Sequence, residues 1–235
     1  MKTVNGWCLL DDELDDGYER FSHVKDSWQF GLAHKGMAWC DKFDTCVDLG
    51  SAYGAISKIL AKNFKEVHAV EMYPPFINCA KINTRMHDNI TYHNCIIADF
   101  NGKKEVQSAL YGGRSHSVPI PSQLEYRQEK KPIVPVRKFD VFIEDNSIKD
   151  IDLIKIDIEN SEHFFVEYGM NTLKKNKPVL IIETHAKHVP KQYKTYVKDT
   201  LLDLDFCLVE KTRNDFIYVH KNKLDVKMKR TLYEW

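Results

Sequence analysis

The alternation of short apolar runs with helical stretches constrains this chain more than any other feature. From residue 45 onward, strand-like runs recur, and most are followed by a helical pattern. Parallel strands need crossover connections, which helices supply. The rhythm therefore predicts an α/β fold with a doubly wound, mostly parallel sheet covered by helices on both faces. Strands are expected at 45–49, 66–71, 90–98, 151–157 and 178–183. Helices are expected at 24–39, 55–62, 164–176 and 191–202, and at 74–85, where Pro74 and Pro75 open the helix. The runs 206–210 and 216–220 follow one another without a helix, which predicts a final antiparallel pair. Residues 100–150 break the rhythm with Asn101-Gly102, Gly112-Gly113 and four prolines, and read as an inserted hairpin and loop. The expected organisation is an N-terminal helical extension over 1–44 and one domain over 45–235.

Length and charge narrow the function classes. A chain of 235 residues fits one domain with decoration. Its 34 basic and 34 acidic residues cancel, so no global field draws it to nucleic acid or to an anionic membrane. No apolar run reaches the ~18 residues of a membrane-spanning helix, and the first ten residues are too short an apolar stretch for a secretion signal. The six cysteines include no CxxC pair, which argues against a zinc ribbon or redox dithiol motif. Free thiols fit a reducing, cytoplasmic location. Oligomeric state stays open.

The first chemical motif is Val47-Asp48-Leu49-Gly50-Ser51-Ala52-Tyr53-Gly54, where a strand becomes a helix. A glycine at 50 permits a tight turn and close approach of a ligand to the main chain. Glu71 ends the second strand about 20 residues later, where a ribose-reading acid is expected.

The second motif is Asp152-Leu153-Ile154-Lys155-Ile156-Asp157-Ile158-Glu159. Central parallel strands read as apolar runs, and Lys155 and Asp157 interrupt this one. Buried charge needs a partner, so both are expected to face a polar cleft. Leu180-Ile181-Ile182-Glu183-Thr184-His185 repeats the pattern one strand later, which brings Asp157, Glu159, Glu183 and His185 toward one edge. The alternative is a structural Lys–carboxylate pair, with Glu159, Ser161 and Glu162 capping the helix that follows. His185 and His188 with Glu183 and Asp157, or His163 beside Glu162, offer mixed nitrogen and oxygen ligands for a divalent metal. No HExxH spacing is present, and no metal is assigned.

With these stretches in view, the chain resembles the FkbM family of S-adenosylmethionine (SAM)-dependent methyltransferases. The matching segments are VDLGSAYG at 47–54, the Glu71 strand end, NITYHNCIIADFNGKKEV at 89–106, DLIKIDIENSE at 152–162 and KPVLIIETH at 177–185. DLIKIDIENSE resembles the family signature KIDVEGxE and is the most specific of them. The family often has Asn where Ala52 stands and Gly where Asn160 stands. The resemblance implies a class I methyltransferase fold, SAM as cofactor, and methylation of a hydroxyl on a saccharide or small metabolite. SAM would contact Asp48, Gly50, Ser51, Ala52, Tyr53, Gly54 and Glu71, with adenine near Asn94 and Asp99. Asp157 and His185 are the candidate bases, oriented by Lys155 and Glu183 respectively. The acceptor would enter over 108–137 and the N-terminal helix, with Arg114, Ser115, His116 and Glu159 as candidate contacts.

Three rivals remain. A nicotinamide-dependent oxidoreductase is weakened because Ala52 replaces the second glycine of GxGxxG, and its Tyr126-x-x-x-Lys130 match lies in a proline-flanked loop. A nucleic-acid methyltransferase would use the basic tail from His220 to Arg230, but the Asn/Asp-Pro-Pro-aromatic signature is absent after the fourth strand. A non-catalytic binding protein of the same fold is opposed by the retention of Asp48, Glu71, Asp157 and Glu183.

Overall fold

The computed structural model describes residues 1–4, 6–10, 30–106, 132–158, 161–183, 191–212 and 215–224. Its elements in chain order begin with β1 (Lys2–Val4), β2 (Trp7–Leu9), α1 (Phe30–Met37), β3 (Thr45–Leu49), α2 (Ala55–Leu60), β4 (Glu66–Glu71), α3 (Pro74–Asn83) and β5 (Ile90–Asn94). They continue with β6 (Ile96–Ile97), β7 (Gly102–Glu105), β8 (Ile133–Arg137), α4 (Phe139–Asp145), β9 (Ile151–Ile156), α5 (Glu162–Tyr168) and α6 (Met170–Asn176). The last are β10 (Val179–Glu183), α7 (Lys191–Asp203), β11 (Phe206–Lys211) and β12 (Asp215–His220).

Seven strands form the central sheet in the order β11-β12-β10-β9-β3-β4-β5. The β10–β9, β9–β3, β3–β4 and β4–β5 pairs are parallel, while β12 runs antiparallel to both β10 and β11. The expected sheet and closing antiparallel pair are therefore present.

Strand alternation divides the core in two, because successive side chains point to opposite faces. Val47, Leu49, Ile154, Ile156, Leu180 and Ile182 face α4 to α7 with Phe139, Phe142, Phe165, Leu173 and Leu201. Cys46, Leu153, Val179 and Ile181 face α1 and α2 with Ala33, Met37, Ile56, Ile59 and Leu60. By the same parity Asp48, Lys155, Asp157 and Glu183 all belong to the α1/α2 face. Four charged positions thus meet on one side of the sheet's carboxyl edge.

Several boundaries differ from expectation. The predicted strand 90–98 breaks at Cys95, where the chain leaves the central sheet. Asn94 Nδ2 donates to the carbonyls of Glu71 and Met72 and ends the pairing with β4. β6 then joins a separate three-stranded sheet, parallel to β8, with β7 antiparallel to β8. The inserted hairpin is present as β7 and β8, and residues 107–131 lie outside the described residues. The stretch read as loop also contains α4, whose Phe139, Phe142 and Ile143 at helical spacing are buried in the core. The predicted helix 164–176 is two helices meeting at Gly169. A Cβ there would lie 2.5 Å from the Phe165 carbonyl oxygen and 2.9 Å from the Phe139 ring, so only glycine fits this bend. At the N-terminus the described part of the helix predicted at 24–39 is α1. The antiparallel hairpin β1–β2, turning at Gly6, was not anticipated. No helix among the described residues is long and apolar enough to cross a membrane.

Candidate active site

Strand order reverses between β3 and β9, where one crossover runs toward β4 and the other toward β10. In open α/β sheets, ligands bind beyond the strand carboxyl ends at such a point. The first wall is the turn after β3. Gly50 N and Ser51 N donate to the Val70 carbonyl at 2.9 and 3.1 Å, and Asp157 N donates to the Leu49 carbonyl at 3.0 Å. Gly50 has φ +79°, and a Cβ there would overlap the Asp157 carbonyl oxygen. The turn and β9 can approach this closely only because residue 50 is glycine.

Glu71 holds the turn from the β4 side. Its carboxylate accepts from Ala52 N at 3.0 Å and from Tyr73 N at 2.8 Å. Ala52 has φ +43°, a region that Asn tolerates better than alanine. The bond to Glu71 helps to hold alanine there. Ser51 is buried, and its Oγ has no hydrogen-bond partner among the described residues.

Lys155 ties the two motifs together. It pairs in register with Asp48 across the β3–β9 ladder. Its Nζ donates to the Gly50 carbonyl at 2.9 Å and lies 3.4 Å from Asp48 Oδ1 and 3.7 Å from Asp157 Oδ2. Burial alone would lower the ammonium's pKa, but Asp48, Asp157 and Glu183 together outweigh it and hold Lys155 above its ordinary value. Ser57 Oγ donates to Asp48 Oδ2 at 2.6 Å. The fully buried Asp48 therefore stands behind the turn and reaches the site through Lys155. Lys155 is 5% exposed and packed beneath the turn, contrary to the expectation that it faces a cleft. Its partners were within reach beneath the surface. Asp157, with 17% of its side chain exposed, stands at the mouth.

The remaining candidates divide. Tyr53 is buried against Phe76, with ring centroids 4.7 Å apart, so its side chain serves packing while its backbone continues the turn. Gly54 follows with φ +78° at the start of α2. Asn94 sits at the end of β5 beside Glu71, Glu183 ends β10 half-buried, and Asp99 is exposed just after β6. Arg114, Ser115, His116, Glu159 and His185 lie outside the described residues, as do Tyr126 and Lys130. His163 stacks on Tyr193 at 4.1 Å between centroids and lies tilted against Phe164 at 3.9 Å. Among the described residues no three His, Cys, Asp or Glu side chains cluster as a metal site.

Two contributors escaped the sequence reading. Ser57 lies on the buried face of α2, and a serine between Ile56 and Ile59 was the available signal. Asn83 clamps the N-terminal hairpin to the turn. Its amide donates to the carbonyls of Cys8 and Tyr53, and its Oδ1 accepts from Cys8 N. Nothing in the local pattern marked it.

The sheet order, switch point and closing antiparallel strands define a class I SAM-methyltransferase fold. The family model described as "Methyltransferase FkbM domain" matches residues 33–216. The chain belongs to the FkbM methyltransferase family. The solved structure of methyltransferase FkbM from Methylobacillus flagellatus KT is similar, with TM-score 0.52 and 19% identity, over 75% of this chain and 43% of that one. The chain thus spans less than half of that relative's length. Two looser likenesses carry no argument about chemistry. One is precorrin 8w decarboxylase from Methanobacterium thermoautotrophicum (TM-score 0.47, 16% identity, 80% of this chain and 89% of that one). The other is Aeropyrum pernix fibrillarin with natively bound S-adenosyl-L-methionine (0.45, 13%, 75% and 66%). No curated protein matches the chain.

Proposed function

We propose that this protein transfers a methyl group from SAM to a hydroxyl oxygen of a saccharide or small metabolite. The observation that carries this reading is the glycine turn after β3, cradled by Asp157 and Glu71 and fastened from below by Lys155. The residues present fit SAM. Gly50 lets the turn close against the Asp157 carbonyl at the end of β9, and the buried Ser51 Oγ is an orphaned polar atom in the turn. Glu71 ends β4 beside the turn, the position from which a carboxylate reads ribose hydroxyls. Among the described residues, Asp48, Asp157 and Glu183 gather around the Lys155 ammonium, and carboxylates at this edge suit a cationic cofactor. Bound SAM supplies an electrophilic methyl on its sulfonium.

The chain's own task is to position and deprotonate. A hydroxyl is a poor nucleophile at neutral pH, and a nearby base that takes its proton accelerates attack. Asp157 is the candidate at the mouth of the site, with Lys155 fixing its carboxylate from below. His185 is the second candidate, following Glu183 in sequence. Positioning of the acceptor supplies much of the acceleration, so loss of one base leaves residual turnover. Residues 108–137 and the N-terminal helix are the proposed acceptor wall, with Arg114, Ser115, His116 and Glu159 as contacts. We read the protein as cytoplasmic, with no membrane partner, no nucleic acid partner and no required metal. In the basic tail, Lys221 is paired with Asp205 at 2.7 Å.

The test is SAM turnover against a panel of saccharides, hydroxylated metabolites and RNA, with Asp157→Asn and His185→Ala beside wild type. Methylated saccharide or metabolite, with a large loss of rate in at least one variant, is the expected outcome. Wild-type rates in both variants remove the assignment of the base, and methylated RNA as sole product removes the small-acceptor reading.

A further inference from the structure

The N-terminal hairpin carries chemistry that methyl transfer does not use. β2 lies against α3 and the cofactor turn, where Cys8, Leu9, Tyr53, Phe76 and Cys79 form one small core. Within it, Cys8 Sγ and Cys79 Sγ are 3.6 Å apart, one on the hairpin and one on α3. None of the six cysteines is in a disulfide. Cys79 is fully buried, while Cys8 retains 7% exposure at the edge of the cluster. The exposed Met1 lies beside it, its Sδ 3.8 Å from Cys8 Sγ. The Asn83 clamp already holds the two segments in register by three hydrogen bonds to Cys8 and Tyr53. The two sulfurs therefore need to close only a short gap to reach bonding distance of about 2 Å.

We propose that Cys8 and Cys79 form an oxidisable dithiol, a modification site that takes a peroxide as co-reactant and staples the hairpin over the cofactor turn. In the first step the Cys8 sulfur attacks hydrogen peroxide. The O–O bond breaks, Cys8 becomes a sulfenic acid, and one water leaves. In the second step the Cys79 sulfur attacks the Cys8 sulfur and expels the hydroxyl as a second water, leaving the S–S bond. The two thiols lose two electrons and two protons in all, and the peroxide is reduced to water. Burial of Cys79 beside Cys8 favours this second step over further oxidation of Cys8, because the resolving sulfur is already in place. The bond closes a loop of about 70 residues, and it restricts the unfolded chain more than the folded one. The dithiol stands independently of the methyl-transfer reading.

The experiment treats the intact reduced protein with hydrogen peroxide, blocks remaining thiols, and maps peptides by mass without reduction. A Cys8–Cys79 cross-linked peptide, abolished by dithiothreitol and absent from Cys8→Ser, is expected. The oxidised wild type should melt on the order of 10 °C above its reduced form, whereas peroxide should leave the melting temperature of Cys8→Ser unraised. Recovery of both cysteines as thiols, sulfinic acid at Cys8 without a cross-link, or a disulfide at other cysteines instead would overturn the proposal.

Discussion

Replacing Lys155 by methionine tests whether its ammonium fastens the site. Methionine keeps most of the side-chain volume but removes the charge that lies 3.4 Å from Asp48. Asp48 is wholly buried, with Ser57 Oγ as its hydrogen-bond donor. Removing one partner of a buried ion pair leaves an uncompensated charge and costs about 3–5 kcal/mol. Loss of the donor to the Gly50 carbonyl adds about 1 kcal/mol. Lys155→Met should therefore lose about 4–6 kcal/mol in urea unfolding. Asp48→Asn should also destabilise, because it leaves the ammonium with Asp157 and Glu183 only. The double variant carries neither charge, and the amide introduced in place of the Asp48 carboxylate still offers an oxygen to Ser57. It should be more stable than the sum of the single losses by about 2 kcal/mol or more. Losses that add within about 0.5 kcal/mol would show that the two groups are not coupled, and the argument for Lys155 as the fastener would fail.

Other outcomes follow from single contacts. Gly50→Ala forces a Cβ onto the Asp157 carbonyl at φ +79° and should cost about 4 kcal/mol or more in urea unfolding, with loss of SAM binding in any folded fraction. His93 is pushed down to about 4, chiefly by burial and then by the neighbouring His68, against a hydrogen bond with Asn146 that favours the protonated ring. A depressed histidine is neutral in the fold and protonates more readily when unfolded. Its contribution is thus complete above about pH 6.5 and lost as pH falls toward 4, by roughly 1–2 kcal/mol after allowance for its partial exposure. His93→Phe should flatten that part of the urea-midpoint profile, and an unchanged slope between pH 6.5 and 4 would contradict the assignment.

Much of the architecture could be read from the residues because it rests on local pattern. Buried runs such as Val47–Leu49 and Leu180–Ile182 announce central parallel strands, and the missing helix between β11 and β12 announces their antiparallel pairing. The switch-point turn was readable for the same reason, since Gly50 sits where a strand gives way to a helix. What escaped depends on register and on contacts distant in sequence. A structural Lys–carboxylate pair is one reading of the sequence, but that Asp48 is the partner is decided by the β3–β9 ladder. The split at Cys95 follows from Asn94 binding the end of β4, and the bend at Gly169 from the approach of Phe139. Strands as short as β1 and β2 carry too few residues to show alternation. They are held by Asn83, more than seventy residues away.

Calorimetric titration of SAM into wild type and Glu71→Ala probes the cofactor site most directly. Glu71 joins the end of β4 to the turn through Ala52 N, and its carboxylate is the proposed ribose partner. Wild type should bind SAM, with no comparable binding of NADH. A folded Glu71→Ala variant should bind SAM more weakly by about 1–3 kcal/mol, the scale of lost charge-assisted hydrogen bonds. Absence of SAM binding by the wild type, or unchanged affinity in the folded variant, would contradict the placement of the cofactor on this turn.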